Sequence, residues 1–514
     1  MRCAAFLLLV APCFAQGVLP LSASYRFGSL LAEYGGNCSP PNPTVPEVDV
    51  GRGEIAFSAD GRYSYTENEY VVCPGGQTST SQNSGAGTYF VGDGGWLLLD
   101  EGQPPGIDTF LLFLRSDTGN AAAARQACED TSAELIVAVA LGSGHSNASL
   151  SGNYHVARLS LRSSTSFLAV GDFGRMTFDG SGSYSENGTR RTVPLGGSVT
   201  TAPYSGNGTY GIAADGALTA RANGWGAVSS DREMFFWITT NGPDVDLTIG
   251  VRAGAAYGNG LANGAWGTSM LAADIGSAAA FPGALATEHG ALRLTSTGGR
   301  TFDWDSARIE SRPQFAPNEC DEVSRGGGWS LPSTGVLTLT PRSGAPLDVG
   351  LSADGSNFVG VTAESGSVGL IFGVAGCSWP RRFGRPTAGS GNMAPTLASV
   401  GGFPHVGNTG FGLLVTGGLG GAPGAALTSL GASNGIPLLG GTVWIDPVQV
   451  VLQFPMALSG PANLPGVGAG AVFLPLPTSP AVAGLQLYAQ ALFVDGGAPA
   501  GVSMTQGLQV DVSR

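Results

Sequence analysis

Five residue pairs recur at one constant displacement in the first half of this chain, and that register limits what it can fold into. Phe57 pairs with Phe178, Tyr63 with Tyr184, Tyr89 with Tyr210, Gly95 with Gly216 and Leu97 with Leu218, each 121 positions apart. Chance matches of Gly and Tyr are common in a glycine-rich chain. Five in a single register over about forty residues indicate duplication of a folding unit.

Both copies read as consecutive hairpins. GEIAFSADGRYSYTENEYVV alternates apolar and polar residues around Asp60-Gly61, and GTYFVGDGGWLLLD does so around Asp93-Gly94-Gly95. Such patterns describe antiparallel strands joined by turns that need positive φ. In the second copy Gly182 and Gly216 hold the equivalent turn positions. A third, more divergent stretch follows, in which GALRLTSTGGRTFDWDS replaces the first hairpin. There LSADGSNFVGVT resembles VSSDREMFFWIT, with Asp354 aligned to Asp231. The expected organisation is a signal peptide over 1–15, repeat units over 16–145, 146–257 and 258–375, and a final module over 376–514.

Each unit carries roughly six to eight candidate strands, which must bury one face and protect their edges. The expected fold class is therefore all-β: tandem antiparallel barrel- or sandwich-like repeat domains followed by a small β-sandwich. Sequential hairpins without a long crossover favour a meander barrel slightly. One exception is expected in GNAAAARQACEDTS, whose alanines suit a short helix that would pack Cys128.

Composition narrows the function classes. Gly 83 and Pro 32 lack the collagen period and are broken by apolar runs such as TFLLFL and REMFFWI. A net charge of −13 disfavours nucleic acid and anionic membrane as partners, because both require positive protein surface. Arg2, the apolar stretch from Ala4 to Ala11 and the small-residue context before Gln16 read as an export signal, too short for a permanent anchor. No later segment has the length of a transmembrane helix, so no transmembrane anchor is expected. In an oxidising destination the expected disulfides are Cys38 with Cys73 and Cys320 with Cys377, leaving Cys128 over.

The module after Gly376 changes character. GCSWPRRFGRP, GGFPHVGNTGFGLLVTGGLGGAPGAAL, LPLPTSPAVAGLQLYAQALFVDGGAPAG and TQGLQVDV together resemble a C-terminal β module of secreted proteins of planctomycete bacteria. The resemblance covers about a quarter of the chain. It implies extracellular or cell-surface placement and supplies no catalytic residues.

Chemistry-bearing motifs are sparse. The four histidines fall at 145, 155, 289 and 405, with no HExxH, CxxC or GxSxG pattern. Asp303 and Asp305 flank Trp304, and on a strand both acids share one face while the ring takes the other. Asp303 with Asp305, and Asp244 with Asp246, are the candidate ligands of a structural calcium ion, with Asp179 in FDGSG a further acid near a turn. No other cofactor is expected. Tyr63, Trp96, Tyr184, Trp225 and Trp304 are the candidate ligand-binding aromatics, although repetition of Tyr63 at Tyr184 favours core packing.

The favoured reading is a noncatalytic secreted or cell-surface structural or adhesion protein, with an extracellular glycan or surface protein as partner. Two alternatives stand beside it. One is an extracellular carbohydrate-active hydrolase using paired carboxylates. The other is a barrel that carries a small apolar ligand.

Overall fold

The structure is a computed structural model. It describes residues 23–512 except 34–45, 59–60, 92–95, 101–109, 116–120, 127–131, 165–166, 222, 256, 258–263, 275–283, 296–299, 312–318, 344, 356, 365–366, 376–380, 401–403, 405, 480–481 and 483–484.

The repeat units are barrels. In the first, strands β1 (Ala23–Glu33), β2 (Glu47–Phe57), β3 (Arg62–Val72), β4 (Thr78–Val91), β5 (Trp96–Asp100), β6 (Phe110–Arg115), β7 (Ala121–Gln126) and β8 (Ser132–Ala140) pair in sequence order, and β1 closes on β8. The second contains β9 (Ser151–Ser163), β10 (Phe167–Asp179), β11 (Ser183–Pro194), β12 (Thr200–Ile212), β13 (Ala217–Ala220), β14 (Gly224–Val228), β15 (Met234–Asn241) and β16 (Asp244–Arg252). The third contains β17 (Gly264–Asp274), β18 (Ala284–Thr295), β19 (Thr301–Ser311), β20 (Glu319–Ser330), β21 (Val336–Pro341), β22 (Leu347–Leu351), β23 (Asn357–Glu364) and β24 (Ser367–Ala375). Closure removes every free edge from a strand-rich unit, which a sandwich would not do.

Turn chemistry carries the repeat into three dimensions. Gly61 and Gly182 have φ of 83° and 123°, and their carbonyls accept the Tyr89 and Tyr210 amides at the same 2.8 Å. Only glycine enters that backbone region without strain. The paired aromatics are core residues: Phe57 meets Tyr89 edge-on at 5.2 Å, and Phe178 meets Tyr210 edge-on at 5.0 Å. Asp231 and Asp354 also correspond, each accepting from a serine two residues earlier in a matching turn.

The alanine-rich connector is not a helix. Ala121 to Ala124 pair with Ala138 to Leu135 as part of β7, and Cys128 lies outside the described residues. So short a run is marginal as a helix, whereas the gap between β6 and β8 offers its backbone a ladder on both sides. Tertiary context overrides propensity here.

Alternation divides each barrel wall into two apolar faces. In β15, Phe235 and Trp237 point into the barrel while Phe236 and Ile238 join a core shared by all three barrels. Leu30 and Val50 from the first barrel and Leu271 and Val361 from the third enter that same core. Each pair of barrels is in contact, and equivalent walls are used in rotation. The β2 wall of barrel 1 meets β15 and β16 of barrel 2, β10 of barrel 2 meets β23 and β24 of barrel 3, and β18 of barrel 3 meets β7 and β8 of barrel 1. The tandem repeat therefore closes as a three-membered ring through head-to-tail interfaces.

The final module packs two sheets face to face. Residues 381–383, 423–429, 450–457, 486–494, 502–504 and 507–511 build one and 396–400, 412–418 and 468–473 the other, with Leu413, Val415, Ala426, Phe493 and Leu508 between them, and 432–438 pairs with 441–445 as a separate two-stranded sheet. Among the described residues no helix is long and apolar enough to cross a membrane.

Candidate ligand-binding site

Each barrel is apolar at one end and polar toward the other, because inward positions change character along the strands. In barrel 2, Tyr154, Phe178, Tyr184, Phe235 and Trp237 fill one end. Further along the same inward faces stand Arg158 on β9, Asp172 on β10, Glu186 on β11 and Asp246 on β16. Arg158 donates to Asp172 Oδ2 at 3.1 Å, to Glu186 Oε2 at 2.7 Å and to Thr248 Oγ1 at 3.0 Å. Arg190 grips Asp172 through two bonds of 2.8 Å, and Arg221 donates to Glu186 at 2.6 Å. Burial opposes the Arg158 charge, but Asp246, Glu186 and Asp172 outweigh it and raise its pKa.

Above this network barrel 2 opens into a cavity of about 370 Å³, lined by Arg158, Arg162, Arg190, Arg221, Asn241 and Asp246 among others. Asp244 pairs with Arg162 at the rim, at 2.7 Å through Nη2. Asp246 accepts from the Thr239 and Thr248 hydroxyls, and burial raises its pKa. The four arginines here face four acids, Asp172, Glu186, Asp244 and Asp246, so the mouth is polar but charge-balanced.

A second cavity, of about 410 Å³, lies between barrels 1 and 2. One wall is the outer face of barrel 1, where cross-strand register aligns Arg52, Asn68 and Gln82 in one row and Val50, Tyr70 and Thr80 in the next. The other wall is barrel 2, where Trp225 sits opposite Ile238, and the Asn223 amide donates to the Thr240 carbonyl at 3.2 Å. Tyr70 reaches across to the Gly242 carbonyl at 3.3 Å. The guanidinium carbons of Arg26 and Arg52 lie 5.9 and 5.5 Å from the Trp225 ring centroid. Asn223 and Thr240 line both cavities, so the groove and the barrel mouth adjoin.

Barrel 1 is acidic toward its polar end. Asp49 is 5% exposed, and burial with the neighbouring Glu47, Glu69, Glu33 and Glu134 pushes it up to about 9. Glu67 is pushed up to about 8, chiefly by burial. In barrel 3, Glu288 is fully buried and bonded to Ser306 and Arg325, and the cavity beside Trp304 holds about 60 Å³. That space is far below the roughly 300 Å³ at which small-ligand sites begin.

Of the aromatics singled out in the sequence, Trp225 alone reaches a described cavity wide enough for a ligand. Tyr63, Tyr184 and Trp304 are each 4% exposed and fill barrel interiors, where Trp304 Nε1 donates to Thr268 Oγ1 at 3.1 Å. Trp96 lies on β5 and its side chain is outside the described residues. Asp303 is exposed on β19, opposite in facing to Trp304, while the Asp305 side chain is outside the described residues. Asp179 is tied into its own turn, accepting from the Ser181, Gly182 and Ser183 amides and the Ser181 hydroxyl, which holds its carboxyl well below the usual range. Among the described residues no group of three or more His, Cys, Asp or Glu side chains is arranged to hold a metal ion. Cys73 is disulfide-bonded; Cys38 and Cys377 lie outside the described residues, as does the Cys320 side chain.

Arg52, Asn68, Gln82 and Asn223 were not singled out by sequence reasoning. A signal was present: the 121-residue register equates Arg52, Asn68 and Gln82 with Phe173, Thr189 and Pro203, a row of different chemistry. No protein-family model matches the chain, and no curated protein is significantly similar to it.

Proposed function

We propose that the protein is a noncatalytic, exported structural or adhesion protein whose ring of barrels presents recognition surfaces at the cell exterior. The observation that carries this reading is the location of free volume. Aromatic rings fill the apolar end of each barrel, and among the described residues cavities of about 370 and 410 Å³ occur at the mouth of barrel 2 and in the groove between barrels 1 and 2. Barrels joined by one apolar core and presenting a groove of amides, hydroxyls, one indole, Arg52 and Glu69 are suited to holding a partner. The apolar-carrier alternative draws no support from barrel 3, whose cavity is about 60 Å³. The export signal and the resemblance of the final module favour an extracellular setting. The test is to incubate the purified full chain with insoluble and soluble polysaccharides and with cell envelopes, measuring retention and released reducing ends. Retention without release supports the proposal; steady release of reducing ends would establish the hydrolase instead.

A further inference from the structure

We propose that the groove between barrels 1 and 2 binds an uncharged polysaccharide chain, with Trp225 as the stacking surface and Asn68, Gln82 and Asn223 as hydroxyl partners. The inference deepens the adhesion reading and rests on it for its biological setting, though the groove stands on its own geometry.

The duplicated walls have diverged in chemistry. Arg52, Asn68 and Gln82 occupy adjacent strands β2, β3 and β4 in register, and all three are exposed. Barrel 2 carries Phe173, Thr189 and Pro203 at the equivalent positions of β10, β11 and β12. Beside that row, Gly171 and Arg191 of barrel 2 pack against barrel 3, where Arg191 donates to the Val361 carbonyl at 3.0 Å. Both walls dock on a neighbouring barrel, and at the equivalent row Phe173 is half-buried and Thr189 and Pro203 are exposed, but only barrel 1 carries amide groups there, over a cavity of about 410 Å³. Packing does not require amides at solvent-exposed strand positions.

The two faces of the groove differ in a way that suits a sugar. A sugar ring offers C–H groups to one side and hydroxyls around its edge. The half-buried indole of Trp225 lines the groove on the barrel 2 wall, where the Arg26 and Arg52 guanidinium carbons already lie 5.9 and 5.5 Å from its ring centroid, so a sugar ring would meet the indole beside these two cations. Asn68 and Gln82 face it from barrel 1, each able to donate and accept together, which matches a hydroxyl that does both. Aromatic rings with a few well-placed polar groups are the usual composition of small-ligand sites of this volume, roughly 300–1,000 Å³.

Charge narrows the ligand further. Arg52 and Glu69 are the charged residues lining the groove, of opposite sign, and the whole chain carries −13. A field of that sign repels polyanions on approach, which disfavours uronate or sulfated chains.

The experiment uses the full chain and isothermal calorimetry with soluble neutral glucan, mannan and galactan fragments, alongside polygalacturonate. Binding to one neutral glycan is expected. Trp225→Ala and the double variant Asn68→Ala/Gln82→Ala should each weaken it roughly 10-fold. The double variant touches exposed strand positions, so it remains informative if Trp225→Ala fails to fold. Binding that is unchanged in a folded groove variant overturns the groove assignment while leaving adhesion intact. Preference for polygalacturonate over every neutral glycan overturns the ligand class. Retention on cell envelopes with no neutral glycan bound overturns this inference alone, whereas release of reducing ends overturns the noncatalytic reading.

Discussion

Replacing Arg158 with methionine removes the cation at the centre of the barrel 2 interior. It deletes three hydrogen bonds, to Asp172, Glu186 and Thr248, at 3.1, 2.7 and 3.0 Å. More important is what it strands, since the side chains of Asp172 and Glu186 are 1% and 6% exposed. Breaking one partner of a buried ion pair usually costs about 3–5 kcal/mol, most of it the penalty of an uncompensated charge. Arg190 and Arg221 still reach these two acids, at 2.8 and 2.6 Å, so the loss belongs at the low end, about 3 kcal/mol. Urea denaturation followed by circular dichroism would measure the loss, and amide hydrogen exchange would place it in β9 to β11. A loss below about 1 kcal/mol would refute the view that these buried carboxylates depend on Arg158 as their central partner.

Three further outcomes are expected. His155, 2% exposed at the contact of barrels 2 and 3, has its pKa lowered to about 4 by burial and by Arg175. The unfolded chain therefore binds more protons between pH 6.5 and 4, so stability is lost as pH falls across that window, by about 3 kcal/mol in full; wild type and His155→Gln should diverge there in thermal melts. Gly171→Val should destabilise the same contact by about 1–3 kcal/mol, read as a lowered urea midpoint, since a Cβ at that position would lie 2.5 Å from Val361 and from Val368. Arg232 has φ of 65° where Gly355 occupies the matching turn of barrel 3, so Arg232→Gly should stabilise by about 1 kcal/mol in the same assay.

Local pattern made the hairpins legible. Period-two alternation and the glycine turns at 61, 182 and 216 leave few other foldings, and the tyrosines at equivalent positions refill equivalent cores. Two features were hidden. Apolar runs such as Met234–Ile238 look like one buried strand in any fold, because both faces are covered, one by the barrel and one by its neighbour. The groove was hidden for a different reason: Arg52, Asn68 and Gln82 meet only through strand register, and they approach Trp225 only when two separate barrels dock. No spacing along the chain encodes that approach. The alanine run of β7 misled because intrinsic propensity is weak against a ladder with two waiting partners.

The closed rotation of equivalent walls also sets a rule for the number of units. Each barrel offers one donor wall and one acceptor wall, and three units satisfy all of both. A fragment lacking barrel 3 would expose the β10 wall of barrel 2 and the β7 and β8 wall of barrel 1, two surfaces shaped for the same kind of partner. Such fragments should capture one another in solution, as rings if the rotation closes and as growing chains if it does not. The third unit can then diverge widely in its loops and still be retained, because it terminates a self-association that its two siblings would otherwise continue.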